Sequence, residues 1–101
     1  MNLKFNKHDS NILLCPHCNN DYIHHAGVEI YNCKEDAPHD RVSVSTCNEH
    51  NKYQLNVDQD GKNPSARRDG IRVFFSCESC GQVSALTIAQ HKGQTFMEWE
   101  V

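Results

Sequence analysis

Two Cys-x-x-Cys pairs are the feature that most constrains the fold of this chain. Cys15 and Cys18 form the first pair, and Cys77 and Cys80 form the second. With two residues between them, the backbone can curl so that both sulfurs of a pair reach one ion at about 2.3 Å, and each pair then fills half of a tetrahedron. The two pairs together predict a four-thiolate zinc site.

The residues beside the cysteines favour the same interpretation. A turn of this kind commonly needs a left-handed residue after its second cysteine, and Asn19 and Gly81 stand at those positions. Pro16 pre-sets φ inside the first turn. Because four thiolates leave no position open for water or substrate, the predicted zinc ion is structural and not catalytic. The alternatives are free thiols or a redox couple in one of the pairs.

The chain shows no sign of a membrane-spanning or secreted segment. No apolar run approaches the roughly 18 residues that span a bilayer. The apolar patch before the first cysteine, residues 12–14, is too short for the core of a signal peptide. The sequence therefore predicts a cytoplasmic protein with no membrane partner. Thiols stay reduced in that compartment, so paired cysteines are interpreted as metal ligands before disulfides.

The composition also favours a domain that a metal stabilises. Of the 101 residues, 38% are hydrophobic, and the mean hydropathy is −0.70. A chain of this size buries only about two-thirds of the surface that its unfolded form exposes, so that the core is expected to be thin. A structural metal would add stability that such a core does not supply.

Alternating apolar and polar residues predict strands and no helix. Strand periodicity or β-branched composition marks residues 22–33, 41–47, 53–57, 71–76, 83–90 and 95–100. We expect a small, mostly β fold in which an antiparallel sheet of hairpins is built around a Cys₄ zinc ribbon. Residues 1–11 are expected to be loosely ordered, and residues 12–101 to form a single domain with a polar insertion around residues 48–70. Because 58 residues separate the two cysteine pairs, the sheet must bring them together.

The last predicted strand has apolar residues on both faces. Met97 and Trp99 alternate with Phe96, which leaves one of the faces for a partner or for a second copy of the chain. A homodimer is therefore one interpretation of the sequence.

Two further cysteines raise the question of a second metal site. Cys33 and Cys47 end predicted strands, and His39 and His50 follow them at short spacing. The four side chains would converge if the two strands pair, whereas free cysteines are commonly small buried apolar residues. A second site would favour a metal-dependent enzyme, but the sequence contains no nucleophile motif, phosphate loop or helical His/Glu pair.

Positive charge is concentrated in residues 62–72. This segment carries 4 basic side chains and 1 acidic side chain, although the whole chain has a net charge of −3. The planar guanidinium groups of Arg67, Arg68 and Arg72 suit carboxylate and phosphate groups. The acidic total favours a protein over nucleic acid as the partner. The other interpretation is a solvated loop whose arginines pair with acids elsewhere in the chain.

Several of these segments resemble a group of small uncharacterised zinc-ribbon proteins of bacterial and phage genomes. The resemblance lies in Cys15-Pro16-His17-Cys18, His24-His25, Asn63 to Ile71, Cys77-Glu78-Ser79-Cys80-Gly81 and Leu86 to Trp99. It implies a bacterial or phage source, a zinc-ribbon architecture, and interest in the Asn-Pro-Ser-x-Arg-Arg loop and the Gln-His-Lys-Gly turn. It implies no activity. Asn19 departs from the glycine that ribbons usually have at that position.

Together these observations predict a non-enzymatic zinc-ribbon binding module. Arg67, Arg68 and Arg72, with His91 and Lys92, are the residues expected to contact its macromolecular partner, for which a protein is favoured over nucleic acid. A zinc ribbon that binds nucleic acid is the first alternative. A metal-dependent enzyme with a second site is the second.

Overall fold

The computed structural model of the protein describes residues 1–34, 37–47 and 52–100, and their regular structure consists of β-strands. The strands are β1 (Ile23–Asn32), β2 (Asp40–Cys47), β3 (Lys52–Asp58), β4 (Gly70–Cys77), β5 (Val83–His91) and β6 (Gln94–Trp99). None of these three ranges contains a helix with the length and apolar character needed to cross a membrane. The prediction of a mostly β fold is confirmed.

All six strands form one open antiparallel sheet in the order β3-β2-β1-β4-β5-β6. The sheet consists of two three-stranded meanders, β1-β2-β3 and β4-β5-β6, and the pairing of β1 with β4 joins them. Within each meander, strands that follow one another along the chain are neighbours, because antiparallel neighbours need only short connections. The predicted hairpin between the segments 28–33 and 41–47 is confirmed as the pair β1 and β2.

β3 lies inside the segment that the sequence marks as a polar insertion. It pairs with β2 over its whole length, from Lys52 opposite Cys47 to Asp58 opposite Arg41. Its strand character comes from the alternation of apolar and polar residues, which outweighs the polar composition. Residues 48–51, the part of the insertion that precedes β3, lie outside the described ranges.

The first residues of the chain lie against the end of β6. The amino group of Met1 donates a hydrogen bond to the carbonyl of Trp99 at 3.0 Å, and the N–H of Trp99 donates to the carbonyl of Met1 at 2.8 Å. An isolated antiparallel bridge pairs Phe5 with Leu13. Within residues 1–11, for which the sequence predicts loose order, Met1 is thus bonded to β6 and Phe5 is paired with Leu13.

The sheet has two faces of opposite chemistry, because successive side chains of a strand point to opposite sides. One face, here called the apolar face, carries two apolar side chains from every strand: Val28 and Ile30, Val42 and Val44, Leu55 and Val57, Ile71 and Val73, Leu86 and Ile88, and Met97 and Trp99. The opposite face, here called the ionic face, carries a network of ion pairs around Glu29.

Glu29 is the centre of the ionic face. The residue is buried, and its carboxylate accepts hydrogen bonds from the Tyr31 hydroxyl at 3.1 Å, from Arg41 at 2.7 Å and from Arg72 at 2.8 Å. Donors on β1, β2 and β4 therefore compensate the loss of hydration that burial of a carboxylate entails.

Two further carboxylates hold the arginines of the ionic face. Arg41 donates to both carboxylate oxygens of Asp58, each at 2.8 Å, and Arg72 donates to Glu100. The hydrogen bonds from Arg41 lower the pKa of Asp58 below its ordinary value. The network thus links four neighbouring strands and the chain segment beyond β6 across one face of the sheet.

Few hydrophobic side chains are fully buried in the described residues. The buried hydrophobic residues are Cys15, Tyr31, Cys77, Leu86 and Trp99. The ring of Phe75 packs edge-on against the indole of Trp99, with ring centroids 5.6 Å apart. The core is therefore as thin as the composition predicts, and the fold depends more than usual on its polar contacts and on the cysteines.

Replacement of Glu29 by alanine should lower the free energy of unfolding by about 3 kcal/mol, because Arg41 and Arg72 would remain half-buried without the carboxylate that they share. Urea titration followed by the fluorescence of Trp99, the only tryptophan of the chain, measures this quantity. The control Glu98→Ala removes a carboxylate whose side chain is 63% exposed and should cost less than about 1 kcal/mol. Equal losses in the two variants would contradict the importance of the network.

Candidate metal centre

The pairing of β1 with β4 brings the two cysteine pairs together. The first pair precedes β1, and Cys77, the last residue of β4, lies opposite Ile23, the first residue of β1. The N–H of Glu78 also donates to the carbonyl of Tyr22 at 3.1 Å, which extends this pairing into the turns. Both cysteine pairs therefore lie at the same end of the sheet.

The four sulfurs lie at the distances of a tetrahedral metal site. The Sγ atoms of Cys15 and Cys80 are 3.8 Å apart, and those of Cys18 and Cys77 are 3.5 Å apart. All four Sγ atoms lie within 4.8 Å of one another. A tetrahedron with metal–sulfur distances of about 2.3 Å has sulfur–sulfur edges of about 3.8 Å. The four thiols therefore fit around one metal ion.

The two turns that carry the cysteines share one backbone conformation. The N–H of Asn19 donates to the carbonyl of Cys15 at 3.0 Å, and the N–H of Gly81 donates to the carbonyl of Cys77 at 3.1 Å. Asn19 and Gly81 have φ values of 61° and 70°, which confirms the predicted left-handed residues. Glycine avoids the strain that a side chain meets at such values, and asparagine is among the residues that tolerate them best.

Backbone N–H groups of the second turn favour the ionised form of Cys77. Hydrogen bonds from the N–H of Cys80 and, to a smaller extent, of Ser79 lower the pKa of Cys77 to about 7. A substantial fraction of this thiol is therefore ionised at neutral pH, and the thiolate is the form that binds a metal. Cys77 is thus well prepared for a first metal contact.

The two exposed cysteines of the cluster are held mainly as neutral thiols. The N–H of Gln82 lowers the pKa of Cys80, but desolvation and the neighbouring thiols, Cys77 first, outweigh it and raise the pKa to about 12. The N–H of Asn20 likewise opposes desolvation and the Cys77 thiol at Cys18, whose pKa is raised overall. Metal binding must therefore displace protons from these thiols.

Histidines near the turns have other partners or face solvent. His24 Nε2 lies 2.7 Å from the carboxylate of Glu78, so that this pair links β1 to the second turn on the surface. His17, inside the first turn, is exposed. Among the described residues, the four cysteines are the one group of three or more His, Cys, Asp and Glu side chains close enough to share a metal ion.

The residues considered for a second metal site are only partly described. The thiol of Cys33 lies 3.4 and 3.5 Å from two backbone carbonyl oxygens, and His39 packs edge-on against the ring of Tyr31 with centroids 5.0 Å apart. The side chain of Cys47 and the whole of His50 lie outside the described residues. The second metal site stays a prediction.

Four of the five predicted partner-binding residues lie on the loop before β4 and on the β5–β6 turn, and the fifth lies on the ionic face. Arg67 and Arg68 are exposed on the loop before β4, and His91 and Lys92 are exposed where β5 turns into β6. Arg72 lies instead on the ionic face, where its side chain is 19% exposed and paired with two carboxylates. The structure thus separates Arg72 from the other four residues.

The loop and the β5–β6 turn meet at the end of the sheet that lies opposite the cysteines. A depression of about 240 Å³ is lined by residues of both, among them Arg68 and Gly93. The hydroxyl of Ser65 donates to the carbonyl of Asp69 at 2.6 Å and accepts from the N–H of Gln90, on β5, at 2.9 Å. No role is predicted for Ser65 from the sequence, although its place in an Asn-Pro-Ser turn could have indicated that its hydroxyl joins the loop to β5.

Comparisons of the chain with protein-family models, with curated proteins and with solved structures found no match. The function of the site therefore has to be derived from its own geometry. That geometry is a cluster of four cysteine thiols that could hold one metal ion. The identity of the metal and the membership of a zinc-ribbon group stay predictions.

Serine in place of Cys77 should abolish stoichiometric metal binding. We expect native mass spectrometry to find one zinc ion in the parent protein and less than about a tenth of an equivalent in Cys77→Ser, because one of the four ligands is lost. Cys33→Ser is the matched control, since Cys33 lies outside the cluster, and it should keep one zinc ion. Two zinc ions in the parent would support a second site, and none would refute the four-cysteine site.

Metal affinity should fall steeply in acid. Because Cys77 is already half protonated near pH 7, lowering the pH adds protons that zinc must displace, and acid therefore favours the metal-free form. Between about pH 7 and pH 5 the dissociation constant of zinc should rise by more than about tenfold per pH unit. Competition with a chromophoric chelator measures it, and a constant that did not change with pH would exclude the thiols as ligands.

Proposed function

We propose that the protein is a non-enzymatic zinc-binding module of the zinc-ribbon type that binds an acidic segment of a protein partner. The observation that carries this proposal is the convergence of four Sγ atoms at tetrahedral distances. Four thiolates are a donor set of structural zinc and leave no open position for a substrate. A bound zinc ion would cross-link the two turns, and the partner would bind elsewhere on the sheet.

The proposed binding loop, residues 62–69, lies far from the metal centre. β4 runs from the end of this loop to the second cysteine pair and has 8 residues. At about 3.3 Å per residue, its two ends are separated by about 23 Å. A partner held at the loop would therefore not contact the metal ion, which supports a structural metal and a binding function.

Hydrogen bonds hold the binding loop in shape. The side chain of Asn63 donates to the carbonyl of Arg68 at 2.9 Å and accepts from the N–H of Ser65 at 2.9 Å. A Cβ atom at Gly70 would collide with Asn63 and with the ring of Pro64, so that the loop packs directly on the start of β4. A loop that is ordered in advance loses less conformational entropy when a partner binds.

The charge of this end of the sheet favours a partner rich in carboxylates. Arg67 and Arg68 are exposed there, as are His91 and Lys92 on the adjoining turn. The net charge of −3 for the whole chain weakens long-range attraction to any polyanion, and it weakens attraction to nucleic acid most because nucleic acid has the higher charge density. Adjacent guanidinium groups bind carboxylates at short range through paired hydrogen bonds. A bacterial or phage source and a cytoplasmic location belong to the same proposal.

Removal of the two loop arginines should weaken the binding of an acidic peptide. The probe is a fluorescein-labelled peptide of alternating Glu and Gly, and fluorescence anisotropy measures its dissociation constant. We expect this constant to rise at least about tenfold in Arg67→Ala/Arg68→Ala, because two charge-assisted hydrogen-bonding groups are lost. Lys4→Ala/Lys7→Ala removes the same charge from two exposed lysines and should change the constant less than about threefold.

Two results would contradict this function. Equal weakening in both double variants would mean that net charge, and not the loop, determines binding. Tighter binding of an oligonucleotide than of the peptide, with steep weakening by salt, would favour the nucleic-acid alternative. The zinc content of each variant is measured alongside, so that a variant that has lost its fold is recognised.

A further inference from the structure

The described part of the chain forms a single layer. All six of its strands belong to one sheet, and none of its residues is helical. Domains normally consist of two packed layers, because a sheet with one apolar face must bury that face against something. Residues before β1, among them Met1 and Leu14, lie beside Trp99 at one corner of the apolar face, where Leu86 and Trp99 are buried. No strand or helix of the described ranges covers the rest of this face.

The dimensions of the molecule agree with a single layer. Its principal extents are 42 × 38 × 20 Å, and its radius of gyration is 14.7 Å. A compact domain of about 100 residues has a radius of gyration of about 13 Å. The molecule is thus broad and flat, and each face of its sheet is large for a chain of this mass.

Several side chains of the apolar face are open to solvent, whereas Leu86 and Trp99 are buried. The exposed fraction is 45% for Ile30, 65% for Leu55, 72% for Val57 and 51% for Met97. Near the middle of the sheet, valines of β1, β2 and β4 line a shallow, almost wholly apolar depression of about 210 Å³. Contiguous apolar surface of this extent marks an interaction site, in contrast to isolated surface hydrophobics.

We propose that the apolar face binds the apolar face of a second copy of this chain and so forms a symmetric homodimer. The area fits this occupant. Six strands at spacings of about 4.8 Å are about 29 Å wide, and strands of about seven residues are about 23 Å long, so that one face covers on the order of 650 Å². Two such faces would bury at most on the order of 1,300 Å², since Leu86 and Trp99 are already buried in one copy, which reaches the lower end of the range of stable specific interfaces.

A second copy also matches the face in chemistry. The middle of the apolar face contains no charged side chain, and Asp40 lies at the outer end of its β2 row, so that two chains, each with a net charge of −3, can meet without like charges in contact at the centre of the interface. Both ionic faces would remain in solvent. Apolar side chains extend over the face from β3 to β6. A twofold axis between two facing sheets would therefore place the apolar surface of one copy on that of the other. Two packed sheets are usually separated by about 10 Å.

The dimer does not depend on the function proposed for the loop. Both the loop and the cysteine cluster lie at the ends of the strands, beyond the middle of the face. Two copies packed face to face would thus keep both loops accessible, and a partner with two acidic segments would bind with increased avidity.

The oligomeric state of the zinc-loaded full chain tests the proposal. Sedimentation equilibrium should find a dimer of the 11.5 kDa chain. Leu55→Lys/Val57→Lys places two charges on the apolar face, at positions already exposed in one copy, so that the single chain should still fold. We expect the dimer dissociation constant to rise at least about 100-fold in this variant, because burying two unpaired ammonium groups is strongly unfavourable.

The matched control is Gln54→Lys/Asn56→Lys, which adds the same charges to the same strand on the opposite face. It should change the dissociation constant less than about threefold. Ile30→Lys, on β1 near the middle of the sheet, should also dissociate the dimer, whereas a dimer paired along the edge of β3 would be insensitive to it. Zinc content confirms that each variant is folded. A parent that is monomeric at about 100 µM, or equal weakening by the opposite-face control, would overturn the proposal.

Discussion

The convergence of the four cysteine thiols is the constraint on which the rest of this structure depends. The sulfurs of Cys18 and Cys77 are neighbours although they lie 59 positions apart in the chain. A metal ion at this point would close a loop that contains β1, β2, β3 and β4, and closure of a long loop removes much conformational freedom from the unfolded chain. Because few side chains of the described residues are buried, a metal cross-link would stabilise the junction of the two meanders at β1 and β4.

The sheet distributes four kinds of chemistry over its ends and faces. The four clustered thiols occupy one end of β1 and β4, and the proposed binding loop occupies the other end of β4. The ionic network around Glu29 covers one face, where three donors satisfy a buried carboxylate. The opposite face is apolar, and it is the surface proposed to bind a second copy of the chain. Because side chains alternate between the two faces of a strand, and because antiparallel pairing places the start of one strand beside the end of its neighbour, one six-stranded sheet can keep these surfaces separate.

Much of the strand pattern and of the cysteine cluster could be predicted from local signals. Alternating residues marked the regions of the strands, and Asn19 and Gly81 indicated the left-handed positions of both turns. The roles of the basic residues could not be predicted in the same way. Arg67 and Arg72 belong to the same short basic segment, yet Arg72 is paired with Glu29 and Glu100, because the fold brings these two carboxylates to it from distant parts of the chain.

The sequence by itself determined the paired thiols, the two-residue period of the strands and the concentration of positive charge before β4, since each of these is a property of neighbouring residues. Tertiary structure alone decided the order of the strands and the contact of Met1 with the end of β6. It also decided that apolar residues from all six strands share one face. The physical reason is that the register between distant segments sets these contacts, and register depends on the hydrogen bonds and packing of the whole sheet.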